Sequence, residues 1–98
     1  MDSTYTHPRI TPRTRTSEIV DQVAAALQAG KIARLGRWRA AWDEDFACAD
    51  VDFGDDTTAC RAGGEPAGGW WTESSHDTCG NAAQAMVDAW MADNGGAK

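Results

Sequence analysis

The sequence predicts an α+β domain with an N-terminal helix, a four-stranded antiparallel β-meander and a C-terminal helix, both helices lying on one face of the sheet. Apolar residues recur at helical spacing near both ends of the chain, and between these segments the apolar pattern changes to a period of two. A chain of 98 residues is expected to form one domain.

The first predicted helix follows a basic N-terminal arm. Residues 1–16 are rich in Thr, Pro and Arg and have no hydrophobic period, so we expect them to be mobile. Residues 17–98 are expected to form the single folded domain. Thr16 or Ser17 can cap its first helix, and Gly30 supplies the C-terminal stop.

Alternation of polar and apolar residues predicts the strands that follow. They are expected at residues 37–42, 47–53, 57–62 and 70–75. In the second of them, Asp50 and Asp52 point away from the apolar face that contains Val51, about 6.6 Å apart at the usual rise of a strand. The last helix is expected to be capped by Asp77 or Thr78.

The charge of the chain is divided unevenly between its two parts. Residues 1–39 carry seven basic and three acidic side chains, whereas residues 40–98 carry two basic and twelve acidic ones, so the net charge is -6. The acidic part disfavours direct binding of nucleic acid, because phosphates would be repelled. Short apolar stretches exclude a membrane span, and the start of the chain lacks a signal-peptide pattern, so we expect a cytoplasmic protein.

Seven carboxylates lie within residues 42–56, with no lysine or arginine among them. They are Asp43, Glu44, Asp45, Asp50, Asp52, Asp55 and Asp56. Like charges this close repel one another, so a cation, a basic partner or water must compensate them. The strand pattern places them along one edge or the outer face of the sheet, and we predict that they form a partner-binding surface there.

The spacing of possible metal ligands disfavours a metal site. A calcium loop that started at Asp50 would place Asp55 where glycine is required and Arg61 where a bidentate glutamate is required. The candidate zinc ligands contain no Cys-x-x-Cys pair. These are Cys48, Cys60, His76 and Cys79. We therefore expect neither metal nor cofactor, and the odd cysteine count without an export signal predicts reduced thiols.

Residues 74–79, SSHDTC, contain the residue types of a nucleophile and its base. Members of a catalytic triad converge from distant segments, whereas neighbours along a chain point apart, so helix capping explains this stretch better. The remaining enzymatic alternative is a thiol enzyme that depends on Cys79, whose pKa a helix N-terminus would lower. We expect the protein not to be an enzyme.

Five tryptophans in a chain of this length need an explanation. Trp38, Trp42 and Trp90 fit the core pattern. Trp70 and Trp71 are adjacent in a strand, so one is expected in the core and the other on the outer face near the carboxylates. The pattern does not choose between the two rings. We take Trp71 as the partner-binding candidate, because an exposed tryptophan beside organised charge is typical of interface hot spots.

In length, acidity, α+β layout and the carboxylates of residues 43–56, the chain resembles the small acidic inhibitor proteins of phages and mobile elements, notably the DNA-mimicking anti-CRISPR proteins. The likeness is one of general character, without a shared motif. It implies a protein that blocks nucleic-acid recognition by a Cas effector subunit or a similar basic protein of the host cytoplasm. The alternative is a structural or assembly module that binds a protein partner through an exposed Trp patch. Salt separates the two, because only the first depends steeply on ionic strength.

Overall fold

The computed structural model describes residues 5–54 and 69–93. They form a five-stranded sheet, in the order β1-β2-β3-β4-β5, and two helices. The elements are β1 Tyr5–Thr6, α1 Thr16–Gln28, β2 Ile32–Leu35, β3 Trp38–Asp43, β4 Cys48–Gly54, β5 Trp70–His76 and α2 Cys79–Asp93. β1 runs parallel to β2, and the other neighbouring pairs are antiparallel. The α+β class is confirmed.

The sheet differs from the predicted meander in its strands. β1 and β2 were not predicted, because two and four residues are too few to show a clear period. The strand predicted at residues 57–62 lies outside the described residues. β4 is hydrogen-bonded directly to β5, whereas the predicted meander placed the strand at residues 57–62 between them.

A side-chain hydrogen bond caps the start of each helix. At α1 the N-cap is Arg15 rather than Thr16 or Ser17, and its backbone N–H donates to Glu18 Oε1 at 3.1 Å. At α2 the predicted cap is present, because Thr78 Oγ1 accepts the N–H of residue 81 at 3.0 Å. Glu18 also places a negative charge in the first turn of α1, where the helix dipole favours it.

One hydrophobic core joins the two helices to the sheet. Its helical residues are Ile19, Val23, Ala26, Leu27, Ala82, Ala83, Met86 and Val87. Its strand residues are Ala33, Leu35, Trp38, Ala40, Ala49 and Val51. Those of β3 and β4 alternate with polar residues that point to the other face, so the sheet has an inner face toward the helices and an outer face away from them. No helix within the described residues is long and apolar enough to cross a membrane.

The N-terminal arm contacts the domain from Tyr5 onward. Tyr5 is 9% exposed, and the Arg34 guanidinium lies 5.2 Å from the centre of its ring. The backbone N–H of Arg9 donates to Gln22 Oε1 at 2.8 Å, and Gln22 Nε2 donates to the Arg9 carbonyl at 3.0 Å. These contacts attach residues 5–9 to the sheet and to α1, although residues 1–16 are expected to form a mobile arm, of which residues 1–4 lie outside the described residues.

Candidate protein-binding surface

The hairpin between β3 and β4 carries three of the predicted acids. Its register pairs Asp43 with Cys48, which leaves a loop of four residues. Asp43 Oδ1 accepts the backbone N–H groups of Asp45 at 2.9 Å and Phe46 at 3.4 Å. One carboxylate therefore fixes the loop from within, while Glu44 and Asp45 are exposed.

Two residues of the same loop depart from what a stable turn would favour. The ring of Phe46 is 78% exposed, although burying a phenylalanine contributes about 1.5–3 kcal/mol. Ala47 has a φ of 51°, a left-handed conformation that costs a residue other than glycine about 1–2 kcal/mol. Sequence reasoning missed Phe46, although an aromatic residue directly after three acids was a visible signal.

Asp50 and Asp52 lie on the outer face of β4, as the alternation predicts, but only Asp50 keeps an uncompensated charge. Asp52 Oδ2 accepts a hydrogen bond from Arg39 Nε at 2.8 Å, and the Asp52 side chain is 13% exposed. Asp50 Oδ1 accepts bonds from two uncharged groups, Ser75 Oγ at 2.7 Å and Cys48 Sγ at 3.6 Å. The expectation that both strand carboxylates are displayed needs correction for Asp52, because an arginine of the neighbouring strand neutralises it.

Arg39 belongs to a cluster of cations and aromatic rings on the outer face. Its guanidinium lies 4.6 Å from the centre of the Trp70 ring, and its Nη1 donates to Tyr5 Oη at 3.4 Å. Partial burial lowers the pKa of Arg39, but the hydrogen bonds to Asp52 and Tyr5 outweigh it and raise the pKa above the ordinary value. Arg39 therefore stays charged, and its interactions are directed into the protein.

Trp70 and Trp71 face opposite sides of β5, and Trp71 is the more exposed of the two, but it does not lie on the outer face beside the carboxylates, where we expected the exposed ring. Trp71 pairs with Phe53 on the side of the helices, where it is 52% exposed and its ring centre lies 6.2 Å from that of Phe53. Trp70 lies on the outer face, 5.0 Å from the Arg34 guanidinium. The exposed ring is therefore at the end of β5 far from the β3–β4 loop, and it does not adjoin the acids of that loop.

Carboxylates from three segments converge around Cys48. Partial burial and the negative charges of Asp50, Asp43 and Asp77 raise the pKa of the Cys48 thiol. Asp77 follows β5 at the end of the sheet where β4 begins, so it adds a charge to the hairpin side. We name this set of carboxylates the acidic end: Asp43, Glu44, Asp45, Asp50 and Asp77. The sequence analysis treated Asp77 only as a helix cap.

The acidic end is not neutralised by neighbouring cations among the residues that the structure describes. The two ion pairs there join Arg39 to Asp52 and Arg37 to Asp93. Both arginines lie toward the other end of β3, near the turn from β2. The paired charges thus lie toward one end of the sheet, and the unpaired carboxylates of the acidic end lie at the other.

The part of the chain that the structure describes brings no three His, Cys, Asp or Glu side chains close enough together to hold a metal ion. Cys48 and Cys79 are free thiols and both are half-buried. Three residues that the sequence analysis singled out, Asp55, Asp56 and Cys60, lie outside the described residues.

The possible catalytic residues of β5 are divided between its two faces. Ser74 Oγ lies 2.8 Å from His76 Nε2, and these residues pair with inner-face positions of β4. Ser75 Oγ instead donates to Asp50 on the outer face. The serine–histidine contact and the carboxylate therefore do not align into a Ser–His–Asp arrangement within these described strands.

Comparison with known proteins gives no relative: no protein-family profile, curated protein or solved structure matches this chain. Its function has to be inferred from the surface itself.

Proposed function

We propose that the protein is a non-enzymatic interaction protein whose acidic end binds and blocks a basic nucleic-acid-binding protein. The main support is the grouping of its carboxylates at the β3–β4 hairpin and the end of β5, where none of them forms an ion pair with another described residue. Such a group projects a negative field into solvent, which attracts a surface rich in Lys and Arg and accelerates association with it.

The proposed partner is a protein that holds nucleic-acid phosphates through Lys and Arg, because carboxylates can occupy the same cationic groups. A Cas effector subunit is the candidate that the resemblance to anti-CRISPR proteins suggests. Because Asp52 is paired with Arg39, the row of charges along β4 is shorter than expected. We therefore assign the contact to the hairpin end rather than to the length of the strand.

The test compares two variants that each lose three negative charges at exposed positions. The first neutralises the acidic end: Glu44→Gln, Asp45→Asn and Asp77→Asn. The matched control neutralises acids elsewhere: Asp21→Asn, Glu73→Gln and Asp88→Asn. Asp43 is left unchanged because its side chain fixes the hairpin loop.

Each variant and the wild type are used to capture partners from a host lysate at low and high salt. The wild type and the control are expected to retain the same partner at low salt and to lose it as ionic strength rises, because salt screens exposed charges. The acidic-end variant is expected to lose this partner at both salt concentrations. Equal retention by the two variants would refute the proposal.

The second candidate function is a structural or assembly module that binds through Trp71. It is favoured by the 52% exposure of this ring and by its stacking on Phe53, which holds it in place. An interface built on this ring would be nearly indifferent to salt, and Trp71→Ser would abolish it. Binding that survives high salt and is lost only in Trp71→Ser would establish this candidate instead.

A further inference from the structure

Phe46 is the most exposed large apolar side chain among the described residues. It is 78% exposed, whereas the next, Trp71, is 52% exposed and stacks on Phe53. Phe46 projects from the loop that also carries Glu44 and Asp45. An apolar ring is thus presented within the acidic end.

The loop holds this ring out by its own contacts. Asp43 Oδ1 accepts the N–H of Phe46 itself, and the register closes the hairpin directly behind the loop, at Cys48. Ala47 then takes a left-handed backbone conformation that glycine or asparagine would adopt more easily. Two successive positions therefore depart from the residue types that stability alone would favour, which is typical of functional sites.

We propose that Phe46 is the apolar anchor of the acidic end and inserts into an apolar pocket bordered by Lys or Arg on the partner. This inference rests on the proposed function and extends it by specifying the shape of the site on the partner. Interface hot spots are commonly aromatic side chains that enter a dry pocket, surrounded by polar groups that exclude water. Here Glu44 and Asp45 would meet the cations at the border of that pocket, while the ring fills its centre.

A flat surface that binds phosphates would give the ring nothing to fill. The partner site that fits this loop is therefore concave and apolar at its centre, and the cations surround it. Because the loop is fixed before binding, less conformational freedom is lost on association. We expect the ring to slow dissociation and the carboxylates to speed association.

The test uses two synthetic helical-hairpin peptides with identical lysine positions, each with a groove between its two helices. In one peptide leucines line this groove and the lysines border it, and the other peptide has serine at each of the groove-lining leucine positions. Both are titrated into the wild type and into Phe46→Ser, with backbone amide NMR shifts of the loop as the readout. Met91→Ser, a change at an exposed apolar position on α2, is the control, and Phe46→Gln is a second variant of the ring.

The wild type and Met91→Ser are expected to bind the leucine peptide at least about tenfold more tightly than the serine peptide, a preference of about 1.4 kcal/mol. Phe46→Ser and Phe46→Gln are expected to lose this preference while keeping their affinity for the serine peptide. A preference that survives both substitutions, or is absent from the wild type, would overturn the anchor. The serine peptide tests the proposed function separately: if it binds the wild type and the acidic-end variant equally, the electrostatic proposal fails.

Discussion

Arg39 and Asp52 face each other across β3 and β4 and form an ion pair on the outer face of the sheet, with 2.8 Å between Nε and Oδ2. The pair divides the acids of the central segment into two kinds. Asp52 stabilises the sheet, whereas the carboxylates of the acidic end remain available to a partner.

Neutralising Asp52 is therefore expected to destabilise the fold. Asp52→Asn removes the charge that Arg39 is paired with, and we expect a loss of about 1–2 kcal/mol in the free energy of unfolding, because hydrogen bonds to charged groups are stronger than neutral ones. Asp45→Asn, at an exposed loop position, should leave stability unchanged or slightly higher, because it relieves repulsion between like charges. Urea denaturation of the two variants measures the difference, and equal midpoints would contradict this role of Asp52.

The Cys48 thiol should lose its proton at a higher pH than an ordinary cysteine. Partial burial and the charges of Asp50, Asp43 and Asp77 raise its pKa above the ordinary value of 9.0. In a Cys60→Ser, Cys79→Ser background, the pH midpoint for alkylation of Cys48 by iodoacetamide should lie above that value. Asp50→Asn should lower this midpoint, because it removes the charge of the carboxylate to which the thiol is hydrogen-bonded.

The same shift sets the sign of a pH effect on stability. A group whose pKa is higher in the folded protein than in the unfolded chain contributes its full stability below the unfolded pKa and loses it as the pH rises. The contribution of Cys48 should therefore be complete at neutral pH and decline from about pH 9 upward. Denaturant midpoints of the wild type and Cys48→Ser across this range measure the effect, and parallel pH profiles would contradict it.

Sequence patterns were sufficient for the helices and for the outer-face position of Asp50 and Asp52. Alternation also placed Arg39 on the face opposite Trp38, but it does not state which residues of neighbouring strands are opposite each other. The four-residue loop sets that register, and from it the pairing of Arg39 with Asp52 follows directly. In the linear sequence these acids contain no interleaved cation, whereas in the folded sheet one of them has a cation beside it.

The N-terminal part of the sheet was beyond sequence reasoning for a different reason. β1 has two residues, and its attachment depends on the Tyr5 ring packing on Arg34, a contact between residues far apart in the chain. The spacing of apolar residues along the sequence does not reveal a contact of this kind. The composition of residues 1–16, rich in Thr, Pro and Arg, therefore predicts a free arm, although Tyr5 is largely buried.

Removal of residues 1–9 should lower the stability of the fold. Deleting residues 1–9 removes the buried Tyr5 ring and both hydrogen bonds between Arg9 and Gln22. Loss of one buried aromatic side chain corresponds to about 1.5–3 kcal/mol, and each kcal/mol lowers the melting temperature of a domain this size by about 4–8 °C. Tyr5→Ser alone should account for most of the decrease. An unchanged melting temperature after the deletion would restore the mobile arm expected from the sequence.

The left-handed backbone of Ala47 in the hairpin loop predicts that glycine at this position would make the protein more stable. Glycine adopts the left-handed conformation of this position without a steric penalty, although it has more freedom to lose on folding, so Ala47→Gly should stabilise the protein by about 0.5–1 kcal/mol. The same substitution at Ala41, inside β3, should destabilise it by about 0.5–1 kcal/mol, because glycine weakens a regular strand.

Phe46→Ser should leave the free energy of unfolding nearly unchanged, because the ring is mostly in water already. Denaturant midpoints of the three variants check these signs together. If Ala47→Gly destabilised the protein instead, the alanine side chain would be supporting the loop. The left-handed backbone of Ala47 would then no longer be evidence that this loop is a functional site.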